Sequence, residues 1–214
     1  MIITSPSVAE YAEQHTSEPD QMLYNLERWT HLNMAQPRMI AGAYQGRLLT
    51  MLCQMISPSL VLEIGSYVGY STICLARGLA AEGKVHAVEV DVECEPKILR
   101  HLDQAGVSDK VVLHIGDALE LVPRMDVAFD LVFVDAGKAY TRECYELALS
   151  KLRMGGWLLV DNVLWDGKVA DSNHHDNDTE RFRQFNDFVQ QDARVENILL
   201  PLRDGLMLCR KVAE

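Results

Sequence analysis

Phe129-Asp130-Leu131-Val132-Phe133-Val134-Asp135-Ala136-Gly137-Lys138 and Trp157-Leu158-Leu159-Val160-Asp161-Asn162-Val163-Leu164-Trp165 are the two stretches that decide the fold. Each is a short apolar run that stops at an aspartate. Runs that short and that apolar read as strands of a parallel sheet, buried on both faces. In an open α/β sheet the carboxyl ends of neighbouring strands share one crevice, where ligands bind. That fold brings Asp135, Asp161 and Asn162 together. Two carboxylates and an amide oxygen are hard ligands, suited to Mg²⁺, Mn²⁺ or Ca²⁺. Lys138, about one turn past Asp135, is expected beside the same site. Taken singly, either aspartate reads as well as a helix cap or a turn residue. The pair with its asparagine and lysine reads as a metal or catalytic site.

Working outward, the pattern from Leu60 alternates. Strands are expected at 60–64, 84–90, 110–115, 129–134 and 156–160, and helices at 69–80, 93–105, 139–152 and 178–191. Such alternation means βαβ units with right-handed crossovers. Val195 to Leu202 and Leu206 to Val212 are strand-like and joined by Arg203-Asp204-Gly205. Asp-Gly between strands signals a hairpin, so the sheet is expected to end in an antiparallel pair. Residues 7–56 read as helical with breaks. Ser17 is the expected cap of a helix with Pro19 in its first turn. Met22, Leu26 and Trp29 follow at helical spacing. After a break at Gln36-Pro37-Arg38, a second helix from about Gly42 carries an apolar face of Leu48, Leu49, Leu52, Met55 and Ile56. This region, 1–56, is expected to pack on the core and to be available as a subunit interface. No linker divides the 214 residues, which read as one domain.

Composition excludes several classes. A net charge of −11 disfavours nucleic acid and anionic membrane surfaces, both of which need clustered Lys and Arg. Met1 to Pro6 has no basic n-region followed by an apolar core, so no leader is read there, and no apolar run is long enough to span a membrane. The five cysteines lack a Cys-x-x-Cys pair and read as buried thiols of a cytoplasmic protein. The tandem His174-His175 lies in a polar stretch, Asp166 to Asp178, with no further ligand nearby. It reads as a solvated loop.

The first strand ends Glu63-Ile64-Gly65-Ser66-Tyr67-Val68-Gly69-Tyr70-Ser71. Gly65 lets backbone approach a ligand closely. The spacing is not the Gly-x-Gly-x-x-Gly of dinucleotide binders, which counts against the rival reading as an NAD-dependent dehydrogenase. Glu63 suits a cationic ligand such as an α-amino group. Glu89 ends the second strand, where an acid takes both hydroxyls of a ribose; Asp91 serves equally as a cap for the next helix. Asp117-Ala118 ends the third, a place to contact an adenine edge. A nucleoside without phosphates and with an amino-acid tail fits all three ends, which describes S-adenosylmethionine.

These three motifs together resemble the cation-dependent O-methyltransferases, the family of caffeoyl-CoA and catechol O-methyltransferases. The resemblance runs from about Arg38 to Arg210. It implies a Rossmann-like seven-stranded methyltransferase sheet, mostly parallel with an antiparallel C-terminal hairpin and helices on both faces. It makes Asp135, Asp161 and Asn162 the ligands of a divalent cation, with magnesium favoured over manganese or calcium, and Lys138 the base. It places Glu63, Gly65, Ser66, Tyr67, Ser71, Glu89, Asp117, Ala118 and Asp135 at the cofactor. Ala41 joins them from the stretch Met39-Ile40-Ala41-Gly42-Ala43-Tyr44-Gln45-Gly46, whose counterpart holds the methionine part by its backbone. It also implies a homodimer. Asp166 stands where plant members carry a substrate-contacting asparagine. Ala136 and Gly137 replace bulkier residues, which implies a roomy site. Trp165 and Tyr140 are candidates to wall an aromatic acceptor, or to pack in the core. The reaction so implied is methyl transfer to one hydroxyl of a vicinal diol on an aromatic ring. A binding protein that holds the cofactor without catalysis is the second rival, against which the intact ligand set with its lysine counts.

Overall fold

The computed structural model describes residues 5–214, so the stretch Met1 to Thr4 read for a leader lies outside the described residues. Seven strands form one sheet: β1 Leu60–Ile64, β2 Lys84–Glu89, β3 Val111–Ile115, β4 Phe129–Val134, β5 Leu152–Asp161, β6 Val195–Leu200 and β7 Leu206–Lys211, in the order β3-β2-β1-β4-β5-β7-β6. The first five are parallel and β7 runs antiparallel to both its neighbours. The expected hairpin is therefore present. Its turn opens with Arg203 at φ 49° and Gly205 at φ 91°.

Alternation along each strand divides the core. Val61, Val85, Leu131, Phe133 and Leu159 face one side, with Leu49, Ile73 and Ile98; Leu62, Val88, Val132, Leu158 and Val160 face the other, with Tyr145, Leu149 and Phe185. The covering helices are α1 Pro6–Gln14, α2 Gln21–Asn33, α3 Gly42–Ile56, α4 Tyr70–Gly78, α5 Glu95–Gln104, the single turn α6 Ala118–Leu121, α7 Thr141–Lys151 and α8 Asn177–Gln191. No helix among the described residues is long and apolar enough to cross a membrane. All five cysteines are buried and unpaired.

Three expectations need correction. The cap of α2 is Asp20, not Ser17; its carboxylate accepts the Leu23 N–H at 3.0 Å, and Pro19 stays outside the helix. An Asp directly before the first turn reaches the free N–H groups, which Ser17, three residues farther out, does not. On α3 Leu49 is buried and Leu48, Leu52 and Ile56 pack partly buried against the core as expected, but the face centres on Gly46, Leu49, Thr50 and Cys53, and Met55 is exposed. Gly46 turns the helix, because only a residue without Cβ admits the Tyr70 ring and Cys74 so closely. Strand β5 begins at Leu152 rather than Gly156. Its register against β4 breaks between Phe129 and Leu131, where Gly155 at φ 72° takes up the extra residues.

The α3–α4 crossing generates a stability prediction. A Cβ on Gly78 would overlap Cys53 and stand 2.7 Å from the Thr50 carbonyl oxygen, both parts of a rigid helix. Gly78→Ala is expected to destabilise the fold by about 1–3 kcal/mol. An unchanged urea midpoint would show that the helices can part at no cost.

Candidate active site

Register builds the site. Val134 pairs with Val160, so the next residues, Asp135 and Asp161, leave neighbouring parallel strands at the same level. Strands lie about 4.8 Å apart, which sets two carboxylates side by side. Burial, and then the Asp161 charge, push the Asp135 carboxyl well above the usual carboxylate range. No hydrogen bond to that carboxylate is present among the described residues. Burial also raises the Asp161 carboxyl, against donors that hold it. Gln45 Nε2 donates to Oδ2 at 2.8 Å and the Asn162 N–H to Oδ1 at 2.9 Å. Asn162 itself lies at φ 64°, the left-handed region that Asn tolerates.

Gln45 and Arg203 were missed in the sequence. Arg203 Nη1 donates to Gln45 Oε1 at 3.0 Å and Nη2 to the Ile40 carbonyl at 3.1 Å. Gln45 was visible only as part of a motif, and Arg203 only as a turn residue. Their meeting spans 158 positions of chain. Together they tie the hairpin turn, Asp161 and the stretch holding Ala41 into one network.

The glycine loop lies on the other side of Asp135. Gly65 sits at φ 96°, and a Cβ there would overlap the Asp135 carbonyl. Ile40, Ala41, Gly65, Ser66, Tyr67, Ser71 and Asp135 line one narrow crevice. Beneath it Glu63 is fully buried. Its Oε2 accepts the Ser66 hydroxyl at 3.1 Å and the Thr72 hydroxyl, while Oε1 has no partner. Burial lifts the Glu63 carboxyl to about 7, against the hydroxyls of Ser71, Thr72 and Ser66 around it. An orphaned buried carboxylate oxygen behind a glycine loop fits a cationic amino group.

Glu89 does something the sequence did not suggest. One oxygen accepts the N–H groups of Ser66 at 3.0 Å and Tyr67 at 2.6 Å, and the other accepts the Asp91 N–H at 2.9 Å. It holds the glycine loop in shape. Asp91 and Asp117 both act as caps, accepting the N–H groups of Glu93 and Leu119. One oxygen of Asp117 is engaged in its own helix turn, and Ala118 lies buried behind it.

Lys138 opens a short turn, and its ammonium lies 3.4 Å from the centre of the Trp165 ring. Trp165 also packs on Phe182, centroids 5.3 Å apart, and its indole N–H has no partner. Tyr140 is exposed rather than in the core, and nothing would lie within 4 Å of a Cβ on Gly137. Asp161, Asn162, Asp166, Asp204 and Arg203 form the floor of a cleft of about 810 Å³, roofed by residues of α1, α2 and the following turn. His174 and His175 point elsewhere, each hydrogen-bonded to a surface carboxylate, Asp171 at 3.0 Å and Glu180 at 3.1 Å.

A parallel sheet with a reversed last strand, a glycine loop over a buried acid and paired carboxylates at the next strand ends define a transferase of the methyl-transfer type. A family model described as O-methyltransferase matches residues 13–212, and the chain belongs to that family. It is 31% identical to "Probable caffeoyl-CoA O-methyltransferase 2" of Dictyostelium discoideum, over 96% of this chain and 92% of that one. It is 31% identical to "Catechol O-methyltransferase" of Niastella koreensis, over 78% and 77%. Among solved structures, the O-methyltransferase TomG from Streptomyces achromogenes in complex with SAM superposes with a TM-score of 0.85 at 31% identity, covering 97% and 96%. The O-methyltransferase from Bacillus cereus in complex with SAH gives 0.86 at 28%, covering 99% and 100%.

Glu63 yields a pH prediction. Between about 4.5 and 7 the folded chain keeps a proton on Glu63 that the unfolded chain has released. Its contribution to stability therefore falls as pH rises through that window. Glu63→Gln, measured against wild type by denaturant unfolding, is expected to gain about 2 kcal/mol on going from pH 5 to pH 8. The same difference at both pH values would refute a neutral buried Glu63.

Proposed function

We propose that this O-methyltransferase, which takes its methyl group from S-adenosylmethionine, methylates one hydroxyl of a catechol-type small molecule with the help of a divalent cation. The single observation that carries the reading is the register pairing of Val134 with Val160, which sets Asp135, on the glycine-loop crevice, beside Asp161, on the floor of the 810 Å³ cleft. Asp135 without a hydrogen-bond donor, Asp161 fixed by Gln45 and the amide of Asn162 would hold the cation. Bound there, a divalent cation supplies Lewis-acid polarisation of the acceptor hydroxyls and favours the ionised form of one of them.

The chain's own residues do the rest. The glycine loop and Ala41 bind the cofactor, with Glu63 facing its amino group and Glu89 its ribose. Lys138 Nζ, acting as the neutral amine, takes the acceptor proton on its lone pair, and the Trp165 face beside it steadies the ammonium that results. Alignment of oxygen, methyl and sulfur completes the step, and a rigid site provides it. Relatives named for caffeoyl-CoA and catechol support the acceptor class. We further propose that the chain works as a homodimer in the cytoplasm.

Turnover is expected to vanish in EDTA and to return with Mg²⁺ or Mn²⁺, and a mono-phenol is expected to be a far poorer acceptor than its catechol. Asp161→Ala should abolish turnover with the fold intact by circular dichroism. Full activity after exhaustive chelation would sink the cation, and equal rates for phenol and catechol would sink chelation of the acceptor. Separately, Glu89→Ala is expected to weaken binding of S-adenosylhomocysteine by about 1.5–3 kcal/mol in calorimetry. Unchanged affinity would remove Glu89 from the cofactor site.

A further inference from the structure

The polar stretch after Asp161 and Asn162 has the composition of a flexible loop, yet one side chain gathers it in. Arg183, on α8, spends its guanidinium almost wholly on this segment. Nε donates to the Val169 carbonyl at 3.0 Å, Nη2 to those of Lys168 at 3.1 Å and Asp171 at 2.5 Å, and Nη1 to that of His174 at 2.7 Å. The remaining bond, from Nη1 to Glu180 at 2.6 Å, stays on α8 itself. A guanidinium has five N–H donors, so all are used, and four go to main-chain oxygens of one loop. Phe182 and Asn186, on the same side of α8, extend the grip: Phe182 packs on Trp165 and Asn186 donates to the Val163 carbonyl at 2.8 Å.

The opposite side of the segment is held by the hairpin turn. The Asp166 N–H donates to the Asp204 carboxylate, the Leu164 N–H to the Asp204 carbonyl at 2.8 Å and the Val163 N–H to the Gly205 carbonyl at 3.2 Å. Between these clamps Asn162, Trp165 and Asp166 all have left-handed backbone, at φ 64°, 47° and 57°. Non-glycine residues keep such conformations only where their surroundings over-determine them, and they cluster at functional sites. Asn162 and Asp166 line the cleft, and Trp165 carries the ammonium of Lys138.

We propose that Arg183 is a positioning residue that holds 165–174 in one fixed shape and so makes Asp166, which lines the acceptor cleft, part of a fixed wall. The acceptor meets a preformed surface, and no closing lid is needed. The proposal rests on the reading of this cleft as the acceptor site. Lysine cannot replace the arginine, because three donors on one nitrogen cannot reach four carbonyls spread around a planar fork.

Two measurements test it. In wild type, amide hydrogen exchange over 166–174 is expected to be slow in the free enzyme and to change by less than about twofold when S-adenosylhomocysteine, Mg²⁺ and a catechol are added. Slowing of more than about tenfold on binding would mean a lid and would overturn the proposal. In Arg183→Lys, exchange over the same residues should become fast. The acceptor KM should rise about tenfold, while kcat and the S-adenosylhomocysteine Kd stay within about twofold. A merely structural role would move thermal stability and leave that split untouched. Unchanged KM in a variant whose wild type methylates catechols would refute Arg183. Absence of catechol turnover in wild type would instead refute the functional reading, and the exchange measurement would still rule on the wall.

Discussion

Two carboxylates at the ends of adjacent strands are the constraint around which the rest is arranged. The pairing of Val134 with Val160 leaves Asp135 and Asp161 no freedom to separate, since strand spacing is set by backbone hydrogen bonds. Burial pushes both carboxyls upward, and the Asp161 charge pushes Asp135 further. The chain answers with a neutral amide and a cation: Gln45 on Asp161, and Arg203 behind Gln45. Among the described residues no donor bonds the Asp135 carboxylate, which only the more distant Arg203 charge favours. The arrangement costs stability and is only partly relieved from within the chain.

A similar debt is carried by the glycine loop. Glu63 is fully buried with one oxygen unpaired, on the same sheet face as the core residues Val61 and Phe133. Glu89 converges three main-chain N–H groups and so fixes the loop above it. Gly65 lets that loop lie against the backbone of Asp135. Cofactor crevice and carboxylate pair thus share one residue, and a shift in either would move the other. Rigid placement of this kind is the main thing a methyl transferase must supply, because the reaction itself needs little more than a straight line of approach.

The segment that follows Asn162 shows how irregular backbone is made definite. It contains left-handed residues that would not persist in isolation. They persist because the hairpin turn hydrogen-bonds one side and α8 the other, through Asp204, Gly205, Arg183 and Asn186. Elements as far apart in the chain as β5, α8 and the β6–β7 turn therefore determine the shape of one segment.

Much was settled by the sequence alone. Apolar runs closed by Asp135 and Asp161 placed β4 and β5 at the correct ends, because a parallel strand buried on both faces has no polar position to confuse the pattern. Asp-Gly at 204–205 foretold the hairpin, since few residues accept the turn it makes. The glycine loop and the acids after it were legible for the same local reason. What lay beyond reach was every role that depends on a distant partner. Glu89 also holds the backbone of the glycine loop, a role no local pattern showed; Ser17 looked like a cap, and Asp20 filled the place. The stretch 166–178 read only as a solvated loop, because composition counts polar side chains and says nothing of an arginine that gathers its carbonyls. Gln45 stood only within a motif and Arg203 only within a turn, and nothing links them until folding sets them 3.0 Å apart. Local chemistry is written in neighbouring residues, whereas a hydrogen bond between distant ones exists only once the sheet has fixed where each stands.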